Sequence, residues 1–289
     1  MRFLNAEDTR RSLSMASAIE AMEHAFSGEW EAPLRTLVGN SLVMPGRLDD
    51  IMAVKVVSTL PGNPSGLVAV FGPDGSPVGL VDGPTLTAIR TGAVSGLATR
   101  LLASEYASTL AMLGAGAMAF DQVEAVRSVR PIERVIVWSR SRDNAERLAQ
   151  VVGGEVSESA NDAVAQADVI SCATPATAPL FDESSVNPGT HVNAVGAFTP
   201  EMVEVPAELL DRAYVVVDDV EAAAAEAGDL IQAGRDPNTT LRELLAGTHP
   251  QIGEDATVFK SVGVAAQDVA AGYRALISSA EQGIGVDLS

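Results

Sequence analysis

The chain has 289 residues, enough for two domains with cores of their own, and 47% of them are hydrophobic, which marks a globular rather than a disordered protein. A formal net charge of −19, from 38 acidic and 19 basic residues, argues against nucleic acid or an anionic membrane as the partner. No apolar run reaches membrane-spanning length, and the N-terminus (MRFLNAEDTRRSLSM) is expected to carry no signal-peptide core. Cys172 is the single cysteine, so an intramolecular disulfide is excluded and a cytoplasmic protein is expected.

In chain order, SMASAIEAMEHAFSG predicts a helix, followed by strand-like pieces PLRTLVG, SLVMPG, IMAVKVVST, GLVAVFG and PVGLVDG. Pro-Gly, Asn-Pro and Pro-Asp-Gly turns separate them. Short strands joined by tight turns predict an antiparallel α+β domain. A helix from about Pro84 to Leu102 then links it to a second domain.

Residues 109 to 142 have the β-α-β layout of a dinucleotide site. An apolar run, Leu110 to Leu113, enters a Gly114-x-Gly116-x-x-Ala119 turn, then a helix pattern and a second run, Val135 to Trp138. Gly114 permits the tight turn, Gly116 lets backbone approach a pyrophosphate, and Ala119 lets the helix lie close to the strand. The N–H groups and dipole at the helix start supply positive charge to phosphates. Where NAD sites usually carry an acidic residue, this chain reads Ser139, Arg140, Ser141, Arg142. A guanidinium suits a 2′-phosphate, so NADP(H) is the preferred expectation, with NAD(H) possible. The plainer alternative is a solvated arginine pair with Ser141 capping the helix NAERLAQVV.

The alternation continues. Helix SANDAVAQA leads to strand DVISCAT, with Cys172 expected as a small core residue, and then to strand THVNAVG. Strand AYVVVDD, helix EAAAAEAG, a short helix TTLRELLAG capped by Thr239 or Thr240 and stopped by Gly247, strand TVFKS and a closing helix DVAAGYRALISSAEQG complete the chain. The expected fold is α/β: a doubly wound parallel (Rossmann) sheet over 106–261, plus a discontinuous α+β substrate and dimerisation domain over 1–105 with 262–289. His24, His191 and His249 are too scattered for familiar metal spacing, and no metal is expected.

Three cations of the first domain ask for a reason. Lys55 interrupts the apolar strand MAVKVVS, Arg35 sits within APLRTLV, and Arg90 lies on a helix whose remaining faces are small and apolar. Each alone fits a strand with one wet face or a solvated helix position. Together they suggest a carboxylate pocket, in which the Arg90 fork grips a substrate and Lys55 supplies a movable charge or a proton. A lysine crowded by two arginines has its pKa pushed down.

The pieces PLRTLV, MAVKVVSTLPGNP, LVDGPTLTAIRTGAVSG, LGAGAMA, WSRS, HVNAVGAFTPEM, VVVDDVEAAAAEAGDL and FKSVGVAAQD resemble the ornithine cyclodeaminase/mu-crystallin family, in family order over nearly the whole chain. The resemblance implies an NAD(P)-dependent fold, a homodimer formed through the first domain's sheet, and a small anionic amino or imino acid substrate. It implies that Arg35, Lys55 and Arg90 bind the substrate carboxylate; Lys55 is the expected catalytic residue, managing the proton at the substrate nitrogen. It also implies that Ser95 and the turn Gly114, Ala115, Gly116, Ala117, Met118 contact the pyrophosphate. Ser139, Arg140 and Ser141 then fall at the adenosine side, Thr174, Val195 and Gly196 beside the nicotinamide, and Ser261 at the last cofactor-side strand.

Two departures bear on activity. Cyclodeaminases resemble AVGGDCPG, with an Asp as acid/base, where this chain has AVGAFTPE and therefore Phe198. The segment Asn63 to Val70 is also shorter than is usual. The expected activity is an NAD(P)H-dependent reductase of α-imino acids of the cyclic ketimine or 1-pyrroline-2-carboxylate kind. The alternatives are an ornithine cyclodeaminase, an alanine-dehydrogenase-like enzyme and a non-catalytic, mu-crystallin-like binder of NADPH.

Overall fold

The computed structural model describes residues 1–60, 65–248 and 255–288. The Asn63-Pro64 turn, part of the shortened segment, and His249 lie outside them. The chain divides into two compact units, Met1–Ala93 with Val264–Ser289, and Val94–Gly263. The expected boundary was at residue 105. The division instead falls within a continuous helix, Gly83–Leu102, in which small residues (Gly92, Ala93, Ser95, Gly96, Ala98) leave no break in periodicity that could announce it.

In the first unit, strands β1 (Arg2–Leu4), β2 (Trp30–Glu31), β3 (Thr36–Val38), β4 (Ser41–Leu48), β5 (Ile51–Ser58), β6 (Gly66–Phe71) and β7 (Pro77–Asp82) form the expected antiparallel meander with additions. β1 runs parallel to β7 at one side, β2 pairs with β4 at the other, and β3 also pairs with β4. The helix Met15–Ser27 begins at Ser14, whose side chain accepts from the Ser17 N–H, and ends at Gly28. The closing helix, Ala265–Gln282, packs on β4, β5, β6 and β7 and on Met15–Ser27. A last strand (Val286–Asp287) pairs with β1, and Arg2 Nη1 donates to the carbonyls of Ser279 and Ile284.

Among the described residues of the second unit there are eight strands, and all are parallel. In chain order they are β8 (Thr109–Leu113), β9 (Arg134–Trp138), β10 (Glu155–Val156), β11 (Val169–Cys172), β12 (His191–Ala194), β13 (Tyr214–Val217), β14 (Thr239–Thr240) and β15 (Thr257–Lys260). Their order across the sheet is β10-β9-β8-β11-β12-β15-β13-β14. β8, β11 and β12 are buried at every position, as expected of strands covered on both faces. The chain leaves β8 toward β9 and later returns to β8's other side with β11. That reversal is the switch point at which doubly wound sheets bind ligands. The short helix Leu241–Ala246 carries a capping box between Thr240 and Glu243 and stops at left-handed Gly247.

Candidate functional site

The β8 turn has the expected mechanics. Gly114 lies at φ 108°, where a side chain would be strained, and a Cβ there would meet the Ala173 carbonyl oxygen at 2.7 Å. A Cβ at Gly116 would meet no protein atom within 4 Å, so any demand for glycine there comes from something outside the chain. Ala119 is buried and opens the helix Ala119–Arg127, whose N-cap, Met118, gives no side-chain bond. The first N–H groups of that helix therefore suit an anion, and the turn fits a dinucleotide pyrophosphate.

At the end of β9, Ser141 caps the helix Arg142–Val152 by accepting from the Asn144 N–H. The two arginines differ. Arg142 is engaged by Glu146 at 3.0 Å and Glu158 at 2.9 Å, so it would have to leave those surface pairs to reach a phosphate. Arg140 is exposed and makes no ion pair or hydrogen bond among the described residues.

Beyond β11 and β12 the structure holds a network that sequence reasoning missed. Glu204, fully buried, accepts at Oε1 from the Thr174 N–H (2.6 Å) and hydroxyl (2.9 Å), and at Oε2 from the N–H groups of Gly196 (2.7 Å) and Ala197 (3.0 Å). Burial raises its pKa, and Lys260 and the Thr174 donors oppose that rise because they favour the charged form. Asp229 receives the N–H groups of Glu204 and Val205 and pairs with Lys260 Nζ at 2.7 Å. Lys260 also donates to the Ala197 carbonyl at 2.5 Å. Thr174 and Gly196 are so close that a Cβ on Gly196 would lie 2.1 Å from the Thr174 nitrogen. Val195 is buried beside them, and Phe198 points outward at 39% exposure. Ser261 donates to Asp218, which also holds the N–H groups of Val262 and Gly263. Ser95 is fully buried on the helix Gly83–Leu102. Cys172 is buried, and burial above all pushes its thiol pKa up, as befits a core residue.

In the first unit, Lys55 does not face water. On β5 the residues Ala53 and Lys55 are buried on the side covered by the closing helix, while Met52 and Val56 are exposed on the other. The expectation of one wet face is inverted: the charge is inside and the apolar side chains are outside. Lys55 Nζ lies 3.1 and 3.2 Å from the two carboxylate oxygens of Asp268. Arg90 Nε donates to the same Oδ1 at 3.3 Å, and its Nη1 donates to Gln267 Oε1 at 2.6 Å. Lys55, Arg90 and Asp268 are 2%, 5% and 1% exposed, so the three charges are shut away together. Two of the three predicted cations thus meet on a carboxylate that sequence reasoning did not single out. Arg35 is partly exposed and its charge reaches Lys55. Nε and one N–H of Nη1 of Arg90 are already committed, which leaves the second Nη1 N–H and the two of Nη2 for a ligand.

The amide of Gln267 adds a second clue. Arginine only donates, so the amide oxygen must face Arg90 and the nitrogen is turned away. That nitrogen is buried and has no hydrogen-bond partner among the described residues. A buried orphan donor beside two cations asks for an anion. Of the 19 basic residues only Lys55 and Lys260 are lysines, and both are buried against an aspartate.

A parallel sheet in this order, with a glycine turn at its switch point, defines a dinucleotide-binding protein of the doubly wound class, joined to an α+β unit with a buried cation cluster. The chain belongs to the ornithine cyclodeaminase/mu-crystallin family, whose model matches residues 2–277. It is 37% identical to the ketimine reductase mu-crystallin of Mus musculus, over 93% of this chain and 94% of that protein. Among solved structures it is similar to the Δ1-pyrroline-2-carboxylate reductase of Thermococcus litoralis in complex with NADH and L-proline (32% identity, TM-score 0.93, all of both chains). It is also similar to an archaeal alanine dehydrogenase dimer with bound NAD (28% identity, TM-score 0.92, 100% of this chain and 99% of that one).

Proposed function

We propose that this chain is an NAD(P)H-dependent reductase of α-imino acids, such as 1-pyrroline-2-carboxylate or another cyclic ketimine. The observation that carries the reading is the buried trio Lys55, Arg90 and Asp268 with the orphan Gln267 amide, in a relative of two imine reductases. Arg90 and Arg35 hold the substrate carboxylate, and the amide of Gln267 has a donor to spare for it. Lys55 gives the proton that the imine nitrogen needs as it becomes an amine. A bound nicotinamide supplies hydride to the imine carbon. The β8 turn, Ser95, Ser139, Arg140, Ser141, Thr174, Val195, Gly196 and Ser261 are the residues to hold that cofactor. Glu204 fixes the Thr174 and Gly196 backbones and Lys260 the Ala197 carbonyl, so the nicotinamide side is preorganised.

NADPH is the favoured donor because Arg140 is exposed and uncommitted at the end of β9. Phe198, which offers no proton, speaks against an ornithine cyclodeaminase. The face of the first sheet opposite the closing helix carries exposed Met52, Val56 and Leu67 beside partly exposed Val54, Ala69 and Leu80. Such an apolar face suits a second copy of the chain, as expected of a homodimer. No described helix is long and apolar enough to cross a membrane, and a single buried thiol suits a reducing cytoplasm.

Incubation with NADPH or NADH and a panel of 1-pyrroline-2-carboxylate, other cyclic ketimines and oxo acids plus amines tests the reading. Oxidation of NADPH with formation of the cyclic amino acid is the expected result. Tight NADPH binding with no turnover on the panel would make the chain a non-catalytic binder. Turnover only with pyruvate and ammonia would make it an alanine dehydrogenase. Ammonia and proline from ornithine, with no net cofactor oxidation, would make it a cyclodeaminase.

A further inference from the structure

A lysine sealed from water beside two guanidiniums has no reason of its own to stay protonated, because burial and like charge both favour the neutral amine. The charged groups that face Lys55 are Arg90 from the helix Gly83–Leu102, Arg35 from the segment before β3, and Asp268 from the closing helix. Its partners across the sheet, Met44 on β4 and Val68 on β6, are apolar. Among the described residues that face Lys55, Asp268 is therefore the one carboxylate, set against three cations. It lies in the first turn of an 18-residue helix, where the backbone dipole favours a negative side chain. Its neighbour Gln267 takes the far side of Arg90, so a single helical turn fixes both cations.

We propose that Asp268 is a positioning residue of the reaction: it keeps Lys55 charged and aimed, sharing its carboxylate with Arg90, and so loads the proton donor near neutral pH. The catalytic part rests on the imine-reductase reading. In the step, the Lys55 ammonium gives its proton to the imine nitrogen, and a bound reduced nicotinamide would supply the hydride for the new C–H bond. Lys55 becomes a neutral amine and recovers a proton from water, and Asp268 remains a carboxylate throughout. Burial is the largest influence on Lys55 and lowers its pKa; Asp268 raises it, Arg90 and Arg35 lower it, and the balance stands at about 8. Without the Asp268 charge only the lowering influences remain.

The chain offers a direct test because it has just two lysines. Protein labelled with 13C-lysine gives two side-chain signals, and a Lys55→Arg variant, which loses one, assigns them. The expected wild-type result is a Lys55 titration centred near 8. Asp268→Asn should move it down by roughly 1–3 pH units, as for loss of an adjacent opposite charge. Asp268→Glu should bring it back toward wild type. The basic limb of kcat/KM should move by the same amount, whereas a merely structural residue would lower the whole profile without moving that limb. A wild-type Lys55 already neutral at pH 7, or an unmoved midpoint in Asp268→Asn, overturns the proposal. If Asp268→Asn does not fold, the wild-type midpoint and the Asp268→Glu variant decide. The titration needs no turnover: a normal shift in a protein that reduces no imine would sink the reductase reading and keep the electrostatic role of Asp268. Imine reduction with an unmoved midpoint would do the reverse.

Discussion

Lys55 and Lys260 make the same pair on paper, a buried lysine against a buried aspartate, yet they stand in opposite surroundings. Lys260 is closed off by protein: Asp229 takes one side and the Ala197 carbonyl another, while Asp229 itself receives two backbone N–H groups. That pair clamps two loops. Lys55 shares its aspartate with an arginine, feels a second arginine, and neighbours an amide donor with nothing to bind. Excess positive charge and an unmet donor describe a place prepared for something absent from the chain. A buried ion pair thus says little by itself; its remaining valence separates a strut from a working group.

Four measurements would widen or close that contrast. The largest effect is expected at Lys55→Met, which should lower kcat for imine reduction about 10²–10⁴-fold, the range for a lost general acid. Its cost to stability should be modest, about 1–3 kcal/mol, because Arg90 stays on Asp268. Lys260→Met should behave in the reverse sense. It leaves Asp229 buried with no cation and should cost about 3–5 kcal/mol in denaturant unfolding. Equal stability losses at the two lysines would erase the contrast.

His191 provides a third test in the second unit. It is buried between Thr257 and Asn193, and burial holds its pKa down at about 4. The unfolded chain takes up this proton below about 6.5 and the folded chain only below about 4. His191 therefore has no pH-dependent effect above 6.5 and removes stability as pH falls through that window, by about 1.4 kcal/mol per unit. Thermal melts between pH 7 and 4 should show this slope, flattened in His191→Gln. An unchanged slope in the variant would assign the acid sensitivity elsewhere.

The smallest effect is expected at Arg140→Asp, which should weaken NADPH binding by about tenfold or more, as for loss of one charge-assisted bond, and leave NADH nearly unaffected. Equal losses for both cofactors would remove Arg140 from 2′-phosphate recognition. Arg142→Ala should change neither, because Glu146 and Glu158 already hold that side chain.

Much of the second unit was legible in the sequence because its signals are local. Apolar runs, the Gly114 turn and the Thr240 and Gly247 caps each act within a few residues. Two-residue strands such as β10 and β14 were not legible, since so short a segment carries no periodicity. In the first unit the meander was readable but its inside and outside were not. Alternation along MAVKVVS says that Lys55 opposes Val54 and Val56, and only the closing helix, 213 residues on at Asp268, decides which side is buried. Asp268 and Gln267 escaped for the same reason: in FKSVGVAAQD they look like an ordinary polar helix start. Glu204, Asp229 and Asp218 were likewise hidden in acidic stretches of an acidic chain. That the chain has only two lysines was countable in the sequence, but the count acquires meaning only with their burial and partners in view.

If this protein delivers hydride to the carbon of an imino acid, the label must travel with it. NADPH carrying deuterium at both C4 positions of the nicotinamide, incubated with 1-pyrroline-2-carboxylate and the enzyme, tests that transfer in one step. The expected product is proline carrying a single deuterium on its α-carbon, formed as NADPH is consumed and lost in Lys55→Met. Proline without deuterium, or an untouched cofactor across the cyclic ketimines, would contradict it.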